Sequence, residues 1–430
     1  MAGYWGHMLT NMVVKQSAAS GFLDTYDVAG VVREGLGRLS VDRQRVLVIV
    51  PDGTRTMPMP LMAGILADVL GPRVAALDYL IALGTHTAMS DADLSKHFGQ
   101  PVVDGRMGPH RIFNHRWNDP SVFAELGVIP REEIEALSGG RLSESVPVAL
   151  NRLVLEYDHV LIVGPVFPHE VAGFSGGTKY LFPGIAAPAI IHFSHWLGAL
   201  VTNYDTIGTM DTPVRAVIDR AASLLPTPLT LIALVVQKEG VAGCYVGSPA
   251  DAWRDAARLS SKRHIVWLDQ PLDRMLAIMP AMYDDLWTAA KGAYKAEPAM
   301  ADGGEVVIFA PHVTEVSYMH GALLDEIGYH SKAYFTAQWE RFKHYPGGIL
   351  AHSTHVKGLG TYDPATGIEQ PRVRVTLATG IPESRCRTIN LGYRDPATID
   401  PDRWLGEHPG RSLVVPRAGE MLYRVGQAPD

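Results

Sequence analysis

Residues 158–198, DHVLIVGPVFPHEVAGFSGGTKYLFPGIAAPAIIHFSHWLG, decide how the chain is read. They begin as a near-continuous Val/Ile/Leu run, pass through a glycine-rich segment and end in a helical pattern over APAIIHFSHWLGAL. A run that apolar fits a strand covered on both faces, as the strands of parallel sheets are. The same kind of run recurs as RVLVIVPDG (45–53), LDYLIALGTH (77–86), PLTLIALVVQ (228–237), DRMLAIMPA (273–281), GEVVIFAPH (304–312) and RVRVTLATG (372–380). Helical patterns lie between them, among them PLMAGILADVLG and DDLWTAAKGAYKAEP. Such alternation predicts an α/β fold with mainly parallel sheets flanked by helices. At 430 residues the chain exceeds the usual ~100–200 residues of one domain. WLDQP (267–271) reads as a linker. The expectation is two α/β domains, 1–270 and 271–430, with a cleft between them. The last apolar stretch, SLVVPRAGEMLYRV (412–425), is free to return to either.

Composition narrows the class. The chain is 47% hydrophobic and 19% charged with formal net charge -7, enough for real cores and too acidic for the basic face of a nucleic-acid binder. No run of ~18 apolar residues could span a bilayer. The opening MAGYWGHMLTNMVVKQSAASGF lacks an apolar signal core, so a cytoplasmic location is expected. Cys244 and Cys386 are too few for a disulfide framework or a cysteine-rich metal site.

Polar residues gather at the predicted strand ends: Asp52 and Arg55, Thr85 and His86, and His169. In open α/β sheets, ligands bind beyond those carboxyl ends. GFSGGTK is not a phosphate loop, because Thr178 separates Gly177 from Lys179 and Tyr180 follows the lysine. No GxGxxG follows a strand. Gly173, Gly176 and Gly177 still let backbone approach an anion closely. Lys179 stands in that loop as charge partner or nucleophile, and His192 and His195 are three apart on the helix after it. Residue chemistry alone thus reaches an anion-binding α/β protein with clustered histidines, without a metal signature such as HExxH.

The blocks PDGTRTMP (51–58), LGTHTAMSDADL (83–94) and PHEVAGFSGGTKYLFPGIA with FSHW resemble, in order and interval, the nickel-pincer nucleotide-dependent lactate racemase family. DDLWTAAKG (284–292) extends the likeness more weakly. The resemblance implies that Lys179 carries a covalently attached pyridinium-3,5-bisthiocarboxylic acid mononucleotide holding nickel as a sulfur–carbon–sulfur pincer. It makes His195, sixteen residues on, the nickel ligand, and it leaves His192 out of register. Imidazole suits a square-planar nickel site. Asp52, Gly173, Ser175, Gly176, Gly177 and Trp287 fall on cofactor-binding positions, with Asp52 orienting Arg55 or bonding the nucleotide.

The implied reaction is racemisation or epimerisation of a 2-hydroxy acid by reversible hydride transfer from C2, with His86 and His169 as the two acid/bases. Histidine suits that work because its ordinary pKa, about 6.5, lies near neutral pH. Arg55 and Lys291 match the carboxylate anchors, and Thr288 replaces a glutamine usual in the family. Pro51-Asp52 and Thr87 are further departures on the substrate side, so a larger hydroxy acid or a sugar acid is expected rather than lactate. Implied partners are the small hydroxy-acid substrate and the proteins that make and insert the cofactor, with no nucleic acid and no membrane. Two alternatives stand beside this reading. One is a metal-assisted lyase or dehydratase of a hydroxy or sugar acid; the other is a nucleotide- or nickel-binding protein without turnover. The dispersed C-terminal histidines, His312, His320, His330, His344, His352 and His355, read mostly as packing or surface residues, with EVSYMHG (315–321) and LAHSTHVKG (350–358) able to line the cleft.

Overall fold

The computed structural model describes residues 13–405 and 410–428. Most of the opening stretch read for a secretion signal therefore lies outside the described residues. Two sheets organise the molecule. The first has eight strands in the order Val14–Ser17, Gly240–Gly247, Leu229–Gln237, His159–Pro165, Arg45–Pro51, Ala76–Ala82, His110–Asn114, Arg106–Met107. Its five central strands are parallel and its edge pairings antiparallel. The second has five strands, all parallel: Gly392–Tyr393, Arg374–Thr379, Met300–Ala310, Leu272–Ile278 and Ser412–Val415.

Each apolar run became a strand because both of its faces are covered. Val46 to Val50 and Val160 to Val163 are fully enclosed, with alternate residues feeding two cores on opposite faces of the first sheet. A third core wraps the second sheet. The stretch 265–271 behaves differently from a bare linker. Ile265–Leu268 is itself a strand, paired with Leu422–Val425 in a separate two-stranded ribbon. The last apolar stretch thus splits, Ser412–Val415 joining the second sheet and Leu422–Val425 returning to residue 265.

DDLWTAAKGAYKAEP is not one helix. It forms two short turns, Leu286–Ala289 and Lys291–Tyr294, buried at nearly every position. Almost no face is left to water, and the expected helical pattern is broken at Ala290 into these two pieces. The helix over Pro188–Val201 is as expected, opened by a proline in its first turn. It lies between cores: Leu197 packs with the first sheet and Trp196 with the second. It crosses the helix Gly347–Lys357 closely enough that a Cβ on Gly347 would meet the His192 carbonyl. Cys244 and Cys386 are buried and unpaired. No helix among the described residues is long and apolar enough to cross a membrane.

Candidate active site

Chain order in the first sheet reverses between Arg45–Pro51 and His159–Pro165, and a crevice opens at such a switch point. The carboxyl ends of these two strands and of Ala76–Ala82 deliver Asp52, His169 and His86 to one place. The turns after Leu272–Ile278 deliver Trp287, Thr288 and Lys291 from the second sheet. Together with Arg55, Ser175, Gly176, Lys179, His195, His352 and His355, these residues line one inner cavity of about 120 Å³. A larger cavity of about 960 Å³ shares Asp52, Arg55, His86, Trp287 and Thr288 with it and opens outward past Tyr318, Met319 and His320.

Asp52 organises the near wall. Its Oδ1 accepts from the Thr54 amide (3.1 Å) and hydroxyl (2.6 Å), and Oδ2 lies 2.5 Å from His86 Nδ1. Burial raises the Asp52 carboxyl, but His86, Arg55 and Thr54 outweigh it and hold the group far below the usual carboxylate range. Asp52 is therefore ionised and can only accept, so His86 donates from Nδ1, and in the neutral ring Nε2 is the bare nitrogen. The Arg55 amide donates to the Asp52 carbonyl at 3.4 Å, but its guanidinium is not bonded to the Asp52 carboxylate. Arg55 donates instead to the Thr54 hydroxyl at 2.8 Å, and its charge pulls Asp52 down through space.

The cavity is rich in cations. Burial, followed by Arg55, lowers Lys179 to about 7, so near neutral pH much of it is free amine. Lys291 is pushed well down by burial and then Arg55, and its Nζ sits 4.3 Å over the Tyr283 ring. Lys295 stands behind, also lowered to about 7 by burial. Against these stand two carboxylates, Asp52 and Glu170. An anion entering the cavity relieves this repulsion.

Several expected contacts fall differently. Of the three loop glycines only Gly176 lines the cavity. Gly173 (φ 80°) packs against Thr209 and Thr212, and Gly177 (φ 61°) lies under Trp253. The Ser175 hydroxyl is committed to its own loop, donating to the Pro165 carbonyl and accepting from the Phe167 amide, both at 3.0 Å. The Thr288 hydroxyl donates to Asp285 Oδ1 at 2.8 Å, as part of a helix cap. His192 is outside the cavity and accepts from the Gly348 amide (3.4 Å).

Other residues here were not singled out from the sequence. Arg215 is buried, stacks on Trp253 at 4.2 Å and donates to the Phe174 (2.5 Å) and Gly176 (3.4 Å) carbonyls, fixing the glycine loop. Trp253 donates to the Ser175 carbonyl at 2.8 Å. Both come from helices further along the chain, where nothing local marks them. His352 and His355, read mainly as packing residues on a segment able to line the cleft, do line the cavity, and His352 stacks on Trp287 at 4.1 Å. Their i, i+3 spacing was the one available signal.

The residues suit a lysine-tethered nickel nucleotide. Lys179 offers a free amine. His195 donates Nδ1–H to the Ile191 carbonyl (2.7 Å), which leaves Nε2 bare toward the cavity, and His355 Nε2 is buried without a partner. Among the described residues no three His, Cys, Asp or Glu side chains form a metal cage. The resembled arrangement asks for one protein ligand only.

Fold and site together define an α/β protein with a histidine- and cation-lined cavity at a sheet switch point, closed by turns from a second sheet. A family model described as the lactate racemase N-terminal domain matches residues 31–208. The chain is 24% identical over 277 residues to the lactate racemase of Thermoanaerobacterium thermosaccharolyticum, covering 63% of this chain and 61% of that one. It is 28% identical over 162 residues to that of Lactiplantibacillus plantarum, covering 37% and 34%. Each match thus spans less than two thirds of the curated relative. A Thermotoga maritima protein of known crystal structure is 31% identical, with TM-score 0.86 over 94% of this chain and 99% of that one. The T. thermosaccharolyticum lactate racemase apoprotein shares the fold, with TM-score 0.71 at 17% identity over 94% and 93% of the two chains. Over residues 31–208 the chain is thus similar to the N-terminal domain of lactate racemases.

Proposed function

We propose that the chain is a racemase or epimerase of a 2-hydroxy acid, most active on an acid larger than lactate, and that it works with a nickel-pincer nucleotide attached to Lys179. The observation that carries this reading is the convergence of His86, His169, Lys179, His195, Arg55 and Lys291 on one cavity. Lys179, as the poised amine, would hold the nucleotide, with His195 Nε2 as protein ligand to nickel. When bound, the group would supply a reversible acceptor for the hydrogen at C2.

The chain's own residues would do the rest. Arg55 and Lys291 grip the carboxylate, the guanidinium in bidentate fashion. His86 Nε2 is a base already aligned by Asp52, and His169 serves the opposite direction. Turns from the second sheet exclude water, which protects a hydride-transfer step. We take 1–270 and 271–430 to be domains, the cytoplasm to be the site of maturation, and the cofactor-building and insertion proteins to be the partners. The space beyond Thr288 and Trp287, about 960 Å³, supports the larger substrate.

The test is a panel of enantiopure hydroxy and sugar acids, assayed for inversion at C2 after co-production with the cofactor-building proteins, with intact mass measured in parallel. Inversion without change of composition, together with a mass increment on Lys179, is expected. An unmodified lysine in such material, or loss of water from substrate, removes the reading.

A further inference from the structure

What sits on one imidazole nitrogen decides what the other can do. His86 and His169 are set in opposite states. His86 Nδ1 donates to the ionised Asp52, leaving Nε2 bare. His169 Nδ1 instead accepts the Val171 amide at 3.1 Å. An amide N–H can only donate, so neutral His169 keeps its proton on Nε2. Burial, then Lys179, Arg55, His195 and Lys295, drives its pKa well below the ordinary value, so neutral is the resting form. As held, His86 is a base and His169 a donor that cannot accept a proton.

Glu170 Oε2 lies 3.4 Å from the same Nδ1, with the ring and the carboxylate both largely enclosed. Burial raises Glu170, but its own amide, His355, Lys179 and Lys291 outweigh this and keep it ionised. The Tyr294 hydroxyl hydrogen-bonds the same carboxylate. We propose that Glu170 is the positioning residue that turns His169 into a base: a small shift exchanges the Val171 amide for the Glu170 carboxylate at Nδ1, which takes up a proton from solvent, and Nε2 is free once its own proton has gone to substrate. The catalytic consequence rests on the racemase reading; the pairing itself does not.

The protons balance. In one direction His86 Nε2 takes the hydroxyl proton while its Nδ1–H stays on Asp52. After the shift toward Glu170, His169 takes one proton from solvent on Nδ1; the imidazolium so formed gives its Nε2 proton to the oxygen and is left neutral with its proton on Nδ1 toward Glu170. The reverse direction starts there, so the pair carries one extra proton throughout. Without Glu170, His169 falls back to the Val171 amide and the return path closes.

Long-range proton–nitrogen spectra of the full-length chain labelled with nitrogen-15 histidine, assigned with His86→Gln and His169→Gln, are expected to show His86 protonated on Nδ1 and His169 on Nε2. The same tautomer in both overturns the proposal. In cofactor-loaded Glu170→Gln, kcat is expected to fall roughly tenfold or more in both directions alike, with KM little changed. The acid limb of kcat should move to lower pH, because the carboxylate that favours the His169 cation is gone, and a structural role would not move it. An unaltered kcat, or an unmoved limb at unchanged melting temperature, also overturns it. A loaded wild type that inverts no hydroxy acid removes the racemase reading; the pairing is then decided by the nitrogen-15 titration of His169, expected at lower pH in Glu170→Gln than in wild type, and an unmoved titration overturns it.

Discussion

Lys179 costs the fold something, and the cost has a sign. Its folded pKa of about 7 lies below the ordinary lysine value of about 10.4, so folding disfavours its ammonium form. That penalty is complete below pH ~7 and fades as pH rises toward ~10. Lys179→Met is therefore expected to raise the melting temperature of the unloaded chain at pH 6 and to leave it nearly unchanged at pH 10; a shift independent of pH would refute the buried charge. Asp52 carries the complementary case. Asp52→Asn keeps the shape but offers His86 Nδ1 a neutral partner, and turnover should drop by roughly 10²–10⁴ as base catalysis is lost, read from kcat on the best hydroxy acid. At this scale the sequence was informative where chemistry follows a strand end, as for Asp52, His86 and His169. It was silent where a role depends on a partner far along the chain. Nothing next to Arg215 or Trp253 marks them as supports of the glycine loop. The sequence was equally silent on the Ser175 and Thr288 hydroxyls bonding Pro165 and Asp285, because a hydroxyl does not reveal in sequence which acceptor it will choose.

Among the elements, the helix Pro188–Val201 links most of the molecule. It carries His195 toward the cavity, Leu197 into the first core and Trp196 into the second, where Trp196 stacks on Trp339 at 5.3 Å. Trp196→Ala should destabilise the chain by about 3–5 kcal/mol, the usual cost of emptying a buried tryptophan site, measured by urea unfolding at fixed pH. His195→Ala should abolish nickel retention in loaded protein while His192→Ala keeps it, because only His195 faces the cavity; equal retention by the two variants would move the ligand elsewhere. Every apolar run named from the sequence became a strand, since burial on both faces leaves a signal that composition alone carries. The helical turns of 286–294 were overread as one helix because burial all round removes the periodicity that separates the two cases.

At the scale of the whole molecule, the site exists only while the loop after Arg45–Pro51 and the segment after Ser412–Val415 stay together. Glu420 is the contact between them. Its carboxylate takes the Thr56 hydroxyl, Arg417 lies 3.9 Å away, and its backbone carbonyl accepts Lys295 Nζ at 2.9 Å. Lys295 is one helical turn beyond Lys291, so this clasp ties the loop bearing Asp52 and Arg55 to the turn bearing Lys291, the second carboxylate anchor we propose. None of it was readable in the sequence, which placed the C-terminal stretch no better than beside one half or the other. Glu420→Ala should leave both cores intact and lower global stability by only about 1–3 kcal/mol, the scale of one lost charged hydrogen bond. Its larger effect should be local: faster amide exchange across 52–58, seen by hydrogen-exchange mass spectrometry, and a higher KM for hydroxy acid, because Arg55 and Lys291 are no longer held at one separation. Unchanged exchange at 52–58 would mean that the apolar packing of Trp196 and its helix, rather than this polar clasp, keeps the cavity closed.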